Sequence, residues 1–197
     1  MAPVERPVVN ITNIVTRSRI RSPFDLTLLK RSVPFDSTKY SLSRIPIVRG
    51  RTKFSIFRSG SVISRASSSI IELEENLLKL QEYLTGFELE LDLEYTITNI
   101  VAYSKLHLQP LNLLTLANLL PTSSYDPDAS ISEHERPGCN VIVHALTDCK
   151  PRKTILIFSS TAITLTGFRS IQDIRNQAYQ FRNRLMDIIA QHPEVTK

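Results

Sequence analysis

Polar and apolar residues alternate along residues 10–19, with Asn13, Val15 and Arg17 on one side and Thr12, Ile14 and Thr16 on the other. A period of two is that of a β-strand with two different faces. Two further β-rich runs are each broken by a turn. One runs from Phe54 through Gly60 to Ala66, the other from Ile155 through Thr161 to Gly167. Each is followed by a longer segment of helical periodicity, at about residues 69–84 and 170–190. The first carries Ile70, Leu73, Leu77, Leu80 and Leu84 with acids between them; the second carries Ile171, Ala178, Phe181, Leu185 and Ile188. Each presents one apolar stripe to lay on a sheet. The Pro-led segments Pro23–Ser32 and Gln109–Leu120 read as short helices, because proline suits a first helical turn. An antiparallel sheet covered by helices on one side leaves its other side open, and functional residues are expected there.

The same order of elements is written twice. Ile-Thr-Asn-Ile-Val stands at Ile11–Val15 and again at Ile97–Val101, 86 positions later. That spacing is too long for a solenoid repeat and suits two copies of a small α/β half-domain. The organisation expected is a short extension over residues 1–8, a first repeat over 9–92 and a second over 93–197. The second copy is the longer, with its extra residues expected in loops.

Composition narrows the class. A chain of 197 residues, 42% of them hydrophobic, can bury a sizeable core. It has no apolar run long enough for a transmembrane helix, and its Arg-rich start lacks the apolar core of a secretory signal. Two cysteines make no disulfide framework, so a reducing intracellular setting is the expectation. Charge is unevenly spread: residues 1–65 hold 13 Lys/Arg against 3 Asp/Glu, residues 66–135 hold 2 against 12, and residues 136–197 hold 9 against 4. A concentrated basic surface favours a polyanion such as nucleic acid, although it also fits a solvated basic face. The acidic block suits a basic protein partner or solvent.

Candidate catalytic chemistry is sparse. His134, Cys139, His144 and Cys149 recur every five residues, an odd spacing that alternates faces in a strand, and none forms a Cys-x-x-Cys or His-x-x-x-His pair. No metal and no cofactor is expected. No Gly-rich phosphate loop, nucleophile elbow or paired carboxylates in a plausible site occurs, and Glu72, Glu74, Glu75 and Glu82 read as a solvated helix face. The expectation is a protein that is not an enzyme.

Taken in order, the motifs resemble the TATA-binding protein family over about residues 9–190. The strands Asn13-Ile14-Val15 and Asn99-Ile100-Val101, the turn Ser123-Ser-Tyr-Asp-Pro-Asp128, the turns Ile56-Phe57-Arg58-Ser59-Gly60 and Ile157-Phe158-Ser159-Ser160, and Leu165-Thr166-Gly167 carry the likeness. No one of these is specific; the ordered set, found twice, is. The resemblance implies an α+β saddle with pseudo-twofold symmetry: one curved antiparallel sheet of about ten strands, concave toward DNA, with four helices on the convex side. It implies a general transcription initiation factor, itself a type example of minor-groove binding, in which apolar wedges unstack base steps and bend the duplex.

By motif position, Asn13, Val15, Arg17, Ser55, Arg65, Asn99, Val101, Leu156 and Thr166 are expected on the DNA face. Phe57 and Phe158 are expected as wedges, with Tyr40 as the aromatic partner of Phe57. Asparagine suits the acceptors that A·T and T·A share in the minor groove. The fourth wedge of the family is missing: Arg136 precedes Pro137-Gly138, and counting from Tyr125 lands on Ser130. Ser55 replaces a usual Leu, and Arg65-Ala66 a usual Thr-Gly. Apolar contact is thus traded for charge in the first repeat, which predicts weaker bending or weaker A·T preference. Phosphate attraction by Arg17 and Arg65 would compensate and make affinity salt-dependent.

The resemblance also implies partners. A IIB-like factor would contact Asp126 and Asp128 on the second stirrup, and a IIA-like factor the first stirrup edge. The basic segment Arg169–Arg184 would hold regulators. The chain is expected as a monomer on DNA and a possible dimer when free, with no membrane partner, in a nucleus or a nucleoid. Two other classes compete. One is a protein scaffold that keeps the fold with weak or no selective DNA binding. The other is an enzyme, since similar halves occur as appendages in some DNA-repair glycosylases and ribonucleases H; this chain leaves no room for their catalytic domain.

Overall fold

The computed structural model describes residues 6–21, 25, 27, 29, 44–121, 123–125, 141–146 and 152–196. They divide into two compact units, Ile11–Ile100 and Val101–Lys197, the latter joined by Met1–Asn10. Nine strands, three α-helices and one 3-10 turn occur among the described residues, against ten strands and four helices expected. The fold class is α+β with antiparallel strands, as expected. The predicted first short helix, Pro23–Ser32, lies largely outside the described residues.

In the Ile11–Ile100 unit, β1 (Val9–Arg19), β2 (Arg44–Arg49), β3 (Thr52–Phe57) and β4 (Ser61–Ser67) pair antiparallel in the order β2-β3-β4-β1. Helix α1 (Ile70–Thr85) follows. Its start is chemically specified. Ser69 accepts the Glu72 amide through Oγ at 3.1 Å, while the Glu72 carboxylate accepts the Ser68 N–H and hydroxyl, each at 2.8 Å. These bonds satisfy otherwise orphaned first-turn donors and hold the Glu72 pKa below its ordinary value, the Ser68 backbone bond being the largest cause. Leu73, Leu77, Leu80 and Leu84 are buried along one side of α1, in a cluster with Ile14, Phe54, Ile56 and Val62. The predicted stripe therefore holds, except that Asn76 enters it. Asn76 is buried and its amide donates to Thr52 Oγ1 at 3.0 Å and to the Glu72 carbonyl at 2.8 Å, which satisfies it there.

In the other unit, β6 (Ser123–Tyr125), β7 (Val141–Ala145), β8 (Thr154–Phe158) and β9 (Ala162–Phe168) pair antiparallel in sequence order. Strand β5 (Thr96–Lys105) is divided between the units at Ile100 and Val101. Helix α3 (Ile171–Gln191), capped by the Ser170 hydroxyl at the Asp173 amide, buries Ile174, Ala178, Phe181 and Leu185. Ile174 joins the predicted stripe, whose ends Ile171 and Ile188 are half-buried. All six lie at helical spacing on one face, with the two ends of the stripe less covered than its middle.

Helix α2 (Leu113–Leu119) begins later than the Pro-led reading placed it. Leu111 N–H donates to the Ser159 carbonyl at 2.8 Å and Leu111 bridges Thr196, which holds 109–111 extended. Asn112 then caps the helix by accepting the Thr115 amide at 3.3 Å. Helix capping by side-chain oxygen outweighs proline position here.

Of the four residues at five-residue spacing, only His144 is described. It is 2% exposed, sits 5.8 Å from the Phe181 ring, and its Nδ1 has no partner among the described residues. Burial pushes its pKa below the ordinary value; Arg184 adds to this and a backbone bond at Pro121 opposes it. A lowered folded-state pKa means stability that is complete above the unfolded value, about 6.5, and is lost as pH falls below it. Stability should therefore decline on acidification below pH 6.5, by at most about 1.4 kcal/mol per pH unit from this residue. Denaturant titrations at several pH values should show that component disappear in His144→Leu.

Candidate nucleic-acid interface

Strand β1 sorts its residues cleanly. Ile14, Thr16 and Ser18 are buried toward the helix side, Asn13 and Val15 are half-buried on the other, and Arg17 and Arg19 are exposed there. Paired residues in antiparallel strands share a face, so the register extends this open side. Arg17 pairs with Ile63, and Ile63 with Ser55; Arg19 pairs with Ser61; Lys53 pairs with Arg65. Asn13, Val15, Arg17, Ser55 and Arg65 thus lie on one side of their unit.

Asn13 is held at a bulge. The β1–β4 register shifts between Ile14 and Thr16, and Ala66 adopts φ 69°. This turns the Ala66 N–H onto Asn13 Oδ1 at 2.7 Å. The amide oxygen is spent within the protein, so the NH2 is the group left to act outward. A minor groove of A·T pairs presents acceptors, and an amide held this way offers the complementary donor.

Ser55 lies on the same side but is 2% exposed, and Arg65 reaches its hydroxyl at 3.4 Å. Arg65 covers it, so a ligand on this face meets the guanidinium first. Sequence reasoning passed over Lys53 and Arg19, both exposed on the open side. Continuing the alternation two residues beyond Arg17 would have found Arg19.

Phe57 and Phe158 close equivalent strands, β3 and β8, and both are half-buried. Each is followed by a tight turn in which its carbonyl accepts an N–H at 2.9 Å, from Gly60 in one unit and Thr161 in the other. The turn residue at the third position is left-handed in both, with φ 80° at Gly60 and 66° at Thr161. A second bond ties each turn to its neighbouring strand, Ile20 N–H to Gly60 O at 2.9 Å and Leu106 N–H to Thr161 O at 3.1 Å. The duplication therefore extends to backbone geometry that the two sequences do not share.

A β-branched residue is strained in that conformation. Thr161 is also fully buried with its hydroxyl unpartnered among the described residues. Thr161→Gly removes both costs, offset by lost methyl burial and greater chain entropy. Stabilisation of about 1 kcal/mol is expected, seen as a raised denaturant midpoint.

The Val101–Lys197 unit has the same layout with different chemistry. Leu156 pairs with Thr164 and Thr154 with Thr166. Leu156, Thr166 and Val101 are half-buried, as is Asn99 two residues before Val101 on the same side of β5. Where the first unit has Arg17, Lys53, Ser55 and Arg65, the second has Tyr103, Thr154, Leu156 and Thr166. Cations are concentrated on one half and neutral groups on the other. The helix side reverses the sign in the first unit: Glu74, Glu75 and Glu82 of α1 are exposed, as predicted for a solvated face, with Glu74 accepting the Tyr95 hydroxyl at 2.9 Å. Tyr40, Asp126 and Asp128 lie outside the described residues.

An internally duplicated α+β fold, with an open strand face and a turn phenylalanine in each copy, defines the class of protein. The sequence model of the family described as "Transcription factor TFIID (or TATA-binding protein, TBP)" matches residues 94–188. The chain is 27% identical over 190 residues to the TATA-box-binding protein of Sulfurisphaera tokodaii, covering 93% of this chain and 89% of that one. It is 28% identical over 200 residues to that of Sulfolobus acidocaldarius, covering 95% and 93%. Its fold is that of the Methanococcus jannaschii TBP structure, with a TM-score of 0.74, 23% identity, and coverage of 92% and 99%. These matches support membership of the TATA-binding protein family. Among the described residues, no helix is long and apolar enough to cross a membrane.

Proposed function

We propose that this chain is a transcription initiation factor that binds promoter DNA in the minor groove. Asn13 and Asn99 would donate to base edges, Val15, Val101, Leu156 and Thr166 would lie against the widened groove, and Phe57 and Phe158 would wedge into base steps. Arg17 and Arg65 would meet the backbone or the groove floor, with Ser55 acting through Arg65, and Tyr40 would assist Phe57. The observation that carries this reading is the twice-written Asn-Ile-Val strand together with a turn phenylalanine in each unit, its turn held by the same backbone bonds in both. Such a factor works at DNA, in a nucleus or nucleoid, and recruits a IIB-like partner through Asp126 and Asp128 and a IIA-like partner at the first turn. It acts as a monomer on the duplex.

A second reading, a scaffold with weak or no sequence-selective DNA binding, is favoured by one observation: Arg65 and Ser55 make a polar patch where Leu156 and Thr166 stand in the other unit. Fluorescence-anisotropy titration of TATA-containing and scrambled duplexes at two salt concentrations separates them. Preferential binding to the TATA duplex supports the first reading. Equal, salt-sensitive binding supports a non-selective binder, and no binding to either duplex removes the DNA role.

A further inference from the structure

Resting on that DNA-binding reading, we propose that the Ile11–Ile100 unit grips a backbone phosphate of the duplex in a pocket formed by Arg17, Arg19, Ser59 and Ser61, and that the duplicated unit has no equivalent. The pocket, of about 200 Å³, lies between the end of β1 and the β3–β4 turn and is lined by these four residues and Ser18. Arg17 Nε donates to Ser61 Oγ at 3.2 Å, a bond that does not use the terminal N–H groups of the guanidinium. The Ser61 N–H reaches Ser59 Oγ at 3.4 Å, bringing both hydroxyls to one place. Two guanidinium groups and two hydroxyls are a donor set for a phosphodiester, and the guanidinium fork matches paired phosphate oxygens.

Of the nearby carboxylates, Asp92 is engaged by Arg21. Asp92 and Glu94 line an adjoining cavity that shares Arg17, Ser18 and Arg19. Arg21 holds Asp92 at 2.9 Å and Glu90 at 3.0 Å. Among the described residues no carboxylate lies within ion-pair distance of Arg17 or Arg19. At the equivalent positions of the other unit stand Tyr103, Lys105, Ser160 and Ala162, with one cation, one serine hydroxyl and one phenol. The electrostatic part of DNA binding is therefore polarised toward one end of the site.

The test is the salt dependence of duplex affinity for the wild-type chain, Arg17→Gln/Arg19→Gln, and Lys105→Gln. Both arginines are exposed, so the double variant should melt with the wild type. Each neutralised phosphate contact contributes about 0.9 to the slope of log K against log salt. The double variant should be shallower by about 1 to 2, and Lys105→Gln by less than half of that. A single methylphosphonate at one end of the site should weaken wild-type binding and leave the double variant unaffected. Equal slopes for wild type and double variant, or equal methylphosphonate effects at both ends, would overturn the clamp while leaving DNA binding in place. Competition by inorganic phosphate beyond that of chloride at equal ionic strength would reassign the pocket to free phosphate and overturn it as well. No duplex binding by the wild type would overturn the functional reading and the clamp together.

Discussion

Replacing Phe57 and Phe158 together with Ala is expected to abolish DNA bending and to weaken duplex binding by at least about 10²-fold, with the fold retained. Each ring is half-buried in the free protein, at the last position of a strand and before a turn fixed by its own backbone bonds. Truncation therefore leaves the turns in place. Burying a phenylalanine is worth about 1.5–3 kcal/mol, so two wedges supply about 3–6 kcal/mol toward unstacking base steps. Tenfold in Kd corresponds to about 1.4 kcal/mol, which sets the lower bound on the loss. Energy transfer between dyes at the two duplex ends reads the bend directly. An unchanged end-to-end distance with the double variant would remove both residues as wedges.

Gly167→Ala is expected to be the most damaging single change to stability, at about 2–5 kcal/mol. Gly167 has φ 88°, a left-handed conformation that costs an Ala about 1–2 kcal/mol. A methyl there would also meet the Arg152 carbonyl oxygen at 2.2 Å, with the Arg152 carbonyl carbon and Lys153 Cα at 3.0 Å. Those are backbone atoms of the chain leading into β8, and they cannot swing aside as a side chain would. Overpacking of this kind adds about 1–3 kcal/mol, against a typical total stability of about 5–15. The comparison with the other unit sharpens the expectation. Ala66 stands at the equivalent place with φ 69° and carries its methyl, so Ala66→Gly should change stability by less than about 1 kcal/mol. Thermal melts of the two variants should differ by several degrees; similar melts would show that Gly167 is not constrained by Arg152.

Most of the architecture could be read from periodicity. Alternation in β1 assigned Asn13, Val15 and Arg17 to one side, and the leucine spacing of α1 assigned its buried stripe, because burial on one face leaves a direct record in residue type. The duplicated pentapeptide located matched halves of β1 and β5. What escaped has local physical causes. Ile174 is buried while Ile171, one turn earlier on the same face, lies at the exposed helix start and is only half-covered. Helix α2 started late because Leu111 is tied to Ser159 and Thr196, distant in sequence. The left-handed turn at Thr161 gave no signal, since a threonine is not the residue such a turn prefers; the turn's own bond to Phe158 and a tertiary bond from Leu106 hold it. The covering of Ser55 by Arg65 depends on two strands lying side by side, which no single segment encodes.

Under the proposed function, the open strand faces read the minor groove. This is tested most directly by comparing affinity for a TATA-containing duplex with affinity for the same duplex in which every A·T pair is replaced by inosine·cytosine. Inosine lacks the guanine amino group, so the minor groove keeps the acceptor pattern of A·T while the major groove is changed. The account predicts affinities for the two duplexes within a few-fold of each other, and loss of binding when guanine replaces inosine. Loss of binding already at inosine would show that the major groove is being read and would contradict it.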